Sequence, residues 1–265
     1  MKKTIIITGT SSGIGKHLAE YFGQKGHRVY GLSRKNTESD YFKTIPTDIT
    51  DEKAVENAVF EILLSEKRID FLINNAGMGM VGAVEDATKE DIRKLFDLNL
   101  IGAVQIMNAV LPKMRDQKAG KIINISSIGS EMGLPFRGFY SASKAALDKV
   151  TEAIRYEVSP WNIDVCSLHL GDIKTKIADH RVMSTVSEPY RSTFNKVFAL
   201  MNSHVDQGTE TAEVAEYIER LLNKENWKVH YYFGKFGQRI GVPLKWILPQ
   251  KTFEKLMRKY NQLSS

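Results

Sequence analysis

Thr4-Ile5-Ile6-Ile7-Thr8-Gly9-Thr10-Ser11-Ser12-Gly13-Ile14-Gly15 carries a β-branched run straight into a glycine-rich turn, and a helical pattern (Leu18, Ala19, Tyr21, Phe22) follows. Glycines at such a junction permit a tight turn, and they let backbone N–H groups and a helix N-terminus approach a pyrophosphate with no Cβ in the way. The spacing is G-x-x-x-G-x-G, not G-x-G-x-x-G, so these residues alone fit either a nucleotide cradle or a plain strand-to-helix connection.

The same alternation continues along the chain. Thr4–Thr8, Arg28–Leu32, Lys43–Thr47, Ile69–Ile73, Lys121–Ile125, Ile163–Leu168 and Lys228–Phe233 read as strands. Helical patterns lie between them near 14–25, 52–65, 88–116, 140–158 and 211–223. Near-continuous Ile and Val in the strands predicts a parallel sheet buried on both faces, an α/β doubly wound fold. With no low-complexity linker and no repeat, residues 1–265 read as a single domain, with 236–265 as a basic C-terminal extension.

Several residues at the ends of these elements have chemical uses. An NAD site expects an acid closing the second strand, but here the sequence is Leu32-Ser33-Arg34-Lys35, whose hydroxyl and cations suit a 2′-phosphate or simply decorate a loop. Asp48-Ile49-Thr50-Asp51 offers either an adenine contact from Asp48 or a turn, with Thr50 or Asp51 as a helix N-cap. Asn74-Asn75-Ala76-Gly77 closes the fourth strand at the edge where ligands of open α/β folds gather. Asn99 is an amide among apolar helical neighbours and needs an internal partner. Ser126-Ser127 ends the fifth strand. Tyr140 and Lys144 lie one turn apart on a helix, so an ammonium can favour the phenolate of a proton-transferring tyrosine, unless the pair is only a half-buried aromatic and a solvated charge.

Gly9-x-x-x-Gly13-x-Gly15, Asn74-Asn75-Ala76-Gly77, Ser127 and Tyr140-x-x-x-Lys144, in this order, resemble the short-chain dehydrogenase/reductase family over roughly residues 4–235. Ser33 and Arg34 match its NADP-preferring branch, and the chain is similar to hydroxysteroid and retinol dehydrogenase-like members. The resemblance implies a Rossmann-type domain with NADP(H) as cofactor and Ser127, Tyr140, Lys144 and Asn99 as catalytic residues. Tyr140 would handle the proton, Lys144 would hold the nicotinamide ribose and depress the phenol pKa, Ser127 would position the substrate oxygen, and Asn99 would hold a relay water. It further implies cofactor contacts from Gly9, Ser11, Ser12, Gly13, Ile14 and Gly15, and from Ser33, Arg34, Asp48 and Ile49. Asn75, Ala76, Gly77, Gly171, Ile173 and Thr175 complete the set. Leu170 departs from the family pattern, standing where a proline is usual and freeing that turn's φ.

By the resemblance, residues 172–205 correspond to the family's variable substrate loop, and the apolar set within it (Ile177, Met183, Phe194, Val197, Phe198, Leu200, Met201), flanked by Met78, Met80, Leu134, Phe136 and Phe139, reads either as a cleft for a lipophilic carbonyl or alcohol or as lid packing. With 265 residues, 42% hydrophobic and 26% charged, the chain has the composition of an ordinary globular domain. The apolar run of the N-terminus stops after four residues, and the expectation is a cytoplasmic protein. The lone Cys166 and six scattered histidines predict neither disulfide nor metal site. From Leu221 onward nine Lys or Arg face two acids. That tail is expected to cover the cleft, make a subunit contact or touch an anionic membrane weakly, rather than bind nucleic acid. The small-residue stripe Ala142, Ala145, Ala146, Val150, Ala153, Ile154 predicts core packing or a homodimer or homotetramer contact. The rival to a carbonyl/alcohol oxidoreductase is an NADP(H)-binding sensor or scaffold without catalysis.

Overall fold

In the computed structural model, which describes residues 2–175 and 181–263, Ile5-Ile6-Ile7 forms the middle of β1 (Thr4–Thr8), buried along its whole length. Alternate residues of a strand face opposite sides. Ile5 and Ile7 accordingly pack against one core with α1 (Gly13–Gln24), while Ile6 packs against the other with α2 (Glu52–Ser65). Both faces being covered is why the run is continuously apolar.

The chain then adds β2 (Arg28–Ser33), β3 (Lys43–Pro46), β4 (Phe71–Asn74), β5 (Met80–Val81), α3 (Lys89–Phe96) and α4 (Ala103–Gln117). These are followed by β6 (Gly120–Ser127), α5 (Gly138–Val158), β7 (Ile163–Leu170), β8 (Val182–Met183) and α6 (Glu188–Asp206). It ends with α7 (Thr211–Leu222), β9 (His230–Phe233), α8 (Phe236–Ile247) and α9 (Gln250–Tyr260). Seven strands pair in parallel in the order β3-β2-β1-β4-β6-β7-β9, with the reversal of winding between β1 and β4. Ligands of such sheets bind beyond the carboxyl ends of the strands at that reversal.

Three expectations change. The single helix over 88–116 is broken into α3, a π-helical turn Asp97–Gly102 and α4, and Asn99 sits inside the turn. β4 starts two residues late because Asp70 serves as a clamp: its buried carboxylate accepts from Thr4 N at 3.0 Å and from Arg68 Nε at 2.8 Å. The 172–205 segment and the C-terminal extension carry helices the reading left out. Pro249 caps α9 at its N-terminus, and Pro243 lies within α8.

Residues Lys89–Gln117 form a helical rod apolar enough by composition to cross a bilayer, but Ile106, Met107, Val110, Leu111 and Met114 bury one side of it in the second core. The α5 stripe divides. Val150 and Ile154 pack on that core, whereas Ala142 and Ala153 are exposed.

Candidate active site

The glycine turn and the Asn75-Ala76 turn are built against each other. Asn75 N and Ala76 N donate to Thr8 Oγ1 at 3.0 and 2.9 Å, and Asn75 Nδ2 donates to the Thr8 carbonyl at 3.0 Å. Gly9 adopts φ +75°, a left-handed conformation that suits glycine, and a Cβ there would come 2.9 Å from Ala76 Cα. A Cβ on Gly15 would collide with the Gly9 carbonyl and the Asn75 amide. The first turn of α1, whose N-cap Ser12 makes no side-chain cap, therefore presents bare backbone to the space beside it. Asn74 has a different job. Buried, it donates to the Ala103 carbonyl and to Asn124 Oδ1, tying β4 to α4 and β6.

Ser127, Tyr140 and Lys144 meet at one end of the cleft, because β6 ends at Ser127 and α5 starts at Gly138. Burial pushes the Tyr140 phenol above its ordinary pKa, against a hydrogen bond with Ser127 and the positive charges of Arg137 and Arg181. Lys144 is buried as well, and desolvation pulls its ammonium down to about 8, with Asp148 one turn on working the other way. Charges besides Lys144 act on the phenol. The Lys144 ammonium is held by the Ile125 carbonyl at 2.8 Å, and the two arginines supply the charge that favours the phenolate.

Asn99 accepts from Met78 N at 2.8 Å and donates to Met78 O at 3.0 Å and Ser143 Oγ at 3.1 Å, so its amide is spent on protein groups. Gly77 lies between it and Lys144: a Cβ there would be 3.1 Å from Asn99 Oδ1 and 3.3 Å from Lys144 Nζ. A single π turn of this kind is a recurrent device at functional sites.

At the far end, Ser33 Oγ donates to the Lys35 carbonyl at 2.8 Å, while Arg34 is exposed. Asp48 takes the turn-forming role, accepting from Thr50 N at 3.0 Å and Thr50 Oγ1 at 2.8 Å. Although partial burial opposes it, those two bonds and the nearby Arg34 charge hold the Asp48 carboxyl below its ordinary range. The N-cap of α2 is Asp51, which accepts from Ala54 N. Ile49 is buried in the second core, and its side chain packs where Gly102 leaves room.

After β7, Leu170 does not loosen the turn. The ladder runs through it to Phe233 and Ser127, and Gly171 N donates to the Phe233 carbonyl at 2.8 Å. Ile173 is buried and bridges Thr209, and Thr175 approaches Gly13.

Between these walls lies a cleft of about 510 Å³. The apolar loop residues sort themselves: Phe194 and Phe198 stack and, with Val197, Val81 and Phe136, pack the lid, whereas Met201, Met78, Met80 and Leu134 line the cleft. Ile177 lies outside the described residues. The C-terminal extension covers the cleft, one of the places expected for it, but the residues that do so were not singled out: Ile240, Leu244, Phe253, Leu256, Met257 and Tyr260 of α8 and α9 close over the opening. Their i, i+3/i+4 spacing was the available signal.

The sequence reading missed the layer behind Ser127. Buried His169 places Nδ1 3.2 Å from the Ser127 carbonyl and 3.1 Å from Ser130 Oγ, and Nε2 3.0 Å from His230 Nδ1. Burial lowers the His169 pKa, opposed by Asp148 and Glu131.

The bare glycine turn, the exposed Arg34 and the buried Lys144 fit a nicotinamide dinucleotide laid across the β1/β4 reversal. Comparison with known proteins agrees. The short chain dehydrogenase family model matches residues 3–184. The chain is 38% identical over 258 residues to a 3-ketodihydrosphingosine reductase of Bacteroides thetaiotaomicron, covering 96% of each chain. It is 33% identical over 276 residues to an NADPH-dependent 3-dehydrocapnine reductase of Ornithobacterium rhinotracheale, covering 96% of this chain and 95% of that one. A solved short-chain dehydrogenase from Streptomyces avermitilis superposes with a TM-score of 0.84 at 28% identity, covering 98% of both chains.

Proposed function

This chain belongs to the short-chain dehydrogenase/reductase family of oxidoreductases acting on CH–OH and C=O groups, and from that premise we propose that it uses NADPH to reduce the ketone of a long-chain amphiphile. The observation that carries this reading is the shape of the cleft: a polar end at Ser127 and Tyr140, opening into an apolar passage walled by α8 and α9. The names of two relatives, reductases of 3-ketodihydrosphingosine and 3-dehydrocapnine, supply the kind of substrate.

When bound, the nicotinamide supplies the hydride. Tyr140, whose raised pKa keeps it protonated at neutral pH, donates a proton to the ketone oxygen, and the Ser127 hydroxyl donates a hydrogen bond to the same atom. Lys144 holds the ribose. Asn99 fixes the Met78 backbone at the cleft wall.

Arg34 reads the 2′-phosphate. A screen of long-chain ketones followed by nicotinamide absorbance tests both points at once. Turnover with NADPH is expected, and Arg34→Leu should raise KM for NADPH about tenfold to a hundredfold while leaving NADH almost untouched. No turnover on any ketone, with NADPH still bound, would favour the sensor reading.

The outer rim of the cleft extends the proposal. Phe236 and Trp246 are each 76% exposed and Ile247 75%, beside exposed Lys235 and Arg239. An apolar and basic rim of this kind suits weak docking on an anionic bilayer, from which such a substrate would enter. Sedimentation with anionic vesicles should carry the protein down at low salt and release it at high salt; equal pelleting with neutral vesicles would contradict this.

A further inference from the structure

The cleft holds a cation whose charge bears on Tyr140 but whose hydrogen-bonding fork has no partner among the described residues. Arg137 stands three residues before Tyr140 at the start of α5 and lines the cleft. Its Nε is closed off from solvent with no hydrogen-bond partner, and among the described residues its guanidinium makes no ion pair. The residue as a whole is half-buried, so the guanidinium keeps some water, but the part closed off loses hydration without gaining a hydrogen bond, a cost that an anion in the cleft would offset. Burial does depress its pKa, with Asp172, Tyr140 and Tyr260 acting in the opposite direction.

A second guanidinium, Arg181, lines the same cleft. It donates to Asn202 Oδ1 at 2.8 Å and adds its positive charge at Tyr140. Among the described lining residues, Arg137 and Lys144 share the cleft with one carboxylate, Asp172, which is hydrogen-bonded by the Gln238 side-chain amide. The start of α5 has no side-chain cap, so the positive end of its dipole adds to the same field. Arginine forks match the paired oxygens of an acid group.

We propose that Arg137, assisted by Arg181, binds an acidic head group on the substrate, so that the preferred ketone is an anionic amphiphile whose carboxylate, phosphate or sulfonate lies a few bonds from the carbonyl. This rests on the reading of the cleft as a carbonyl-reducing site. The acid anchors beside Tyr140, and the chain runs past Leu134 and Met132 toward Ile240, Leu244 and Met257. A neutral ketone of equal length fills the passage but leaves the guanidinium unpaired, so the site discriminates through the cost of that orphan.

The test is calorimetric and needs no turnover. The NADPH-loaded full chain is titrated with decyl sulfonate, decyl phosphate, decanoate and decanol, each below its micelle concentration. At least one acid should bind about tenfold to a hundredfold more tightly than decanol, and the strongest of the three identifies the head group. Arg137→Gln should abolish that preference, while Arg137→Lys, which keeps the charge and loses the fork, should retain part of it. Decanol binding as tightly as every acid to the wild-type protein would overturn the inference, even if Arg137→Gln fails to fold. So would a preference that survives in Arg137→Gln, or a loss of NADPH affinity large enough to account for the change, which would assign Arg137 to the cofactor. Oxidation of NADPH by a neutral long-chain ketone is followed in parallel. Turnover without head-group preference sinks the Arg137 site and leaves the reductase, whereas preference without turnover on any ketone, neutral or acidic, does the reverse.

Discussion

Tyr140→Phe lowers kcat for ketone reduction by about 10³-fold, within the range that a positioned acid contributes, and leaves NADPH affinity within about twofold of wild type. The phenol is half-buried in the cleft wall and desolvation raises its pKa, so at neutral pH it stands as a proton donor, and no other described hydroxyl of the cleft combines its position with contact to Ser127. Phenylalanine keeps the ring and its packing. The variant loses one hydrogen bond with Ser127, which costs roughly 1 kcal/mol of stability, so folding should survive and the kinetic loss can be read as chemistry. Rapid-mixing NADPH oxidation and fluorescence titration of NADPH separate the two terms; wild-type-like rates in the variant would remove Tyr140 from the mechanism.

Lys144→Met should lower turnover by about 10²-fold or more by misplacing the reacting groups, and it should stabilise the protein at neutral pH. The sign follows from linkage. The folded-state pKa of about 8 lies below the ordinary value of 10.5, so the unfolded chain binds the proton more tightly between those pH values. Stability therefore rises with pH across that window, and below pH 8 the buried ammonium destabilises the fold by on the order of 3 kcal/mol. Methionine removes that cost but strands the Ile125 carbonyl, which takes back about 1 kcal/mol. Denaturant titration at pH 7 and pH 10 should show the variant more stable at the lower pH, with the difference shrinking at the higher one. A variant less stable at pH 7, or a pH slope like that of wild type, would contradict the burial argument.

What was legible in the chain was whatever depends on local pattern. All seven strands of the main sheet and the glycine turn follow from β-branched runs and from Gly9 and Gly15, where only glycine fits the space. The meeting of Ser127, Tyr140 and Lys144 follows from the helix period and the parallel winding. What was not legible depends on contacts between distant residues. Nothing in Lys144 itself says that its ammonium is held by Ile125, or that Arg137 and Arg181 tune Tyr140. The role of Asn99 is set by the π turn and by Met78, twenty-one residues away. The helices that wall the cleft had the right apolar spacing, but two prolines and a dense positive charge hid them; Pro249 caps α9, and the charge lies mostly outward.

The most direct test of the central claim uses NADPH deuterated at the transferring carbon of the nicotinamide, incubated with the wild-type chain and long-chain ketones, neutral and acidic. Alcohol products bearing deuterium on the carbinol carbon, formed in step with NADPH loss, are expected. NADPH that binds but is not consumed with any of the ketones would contradict it.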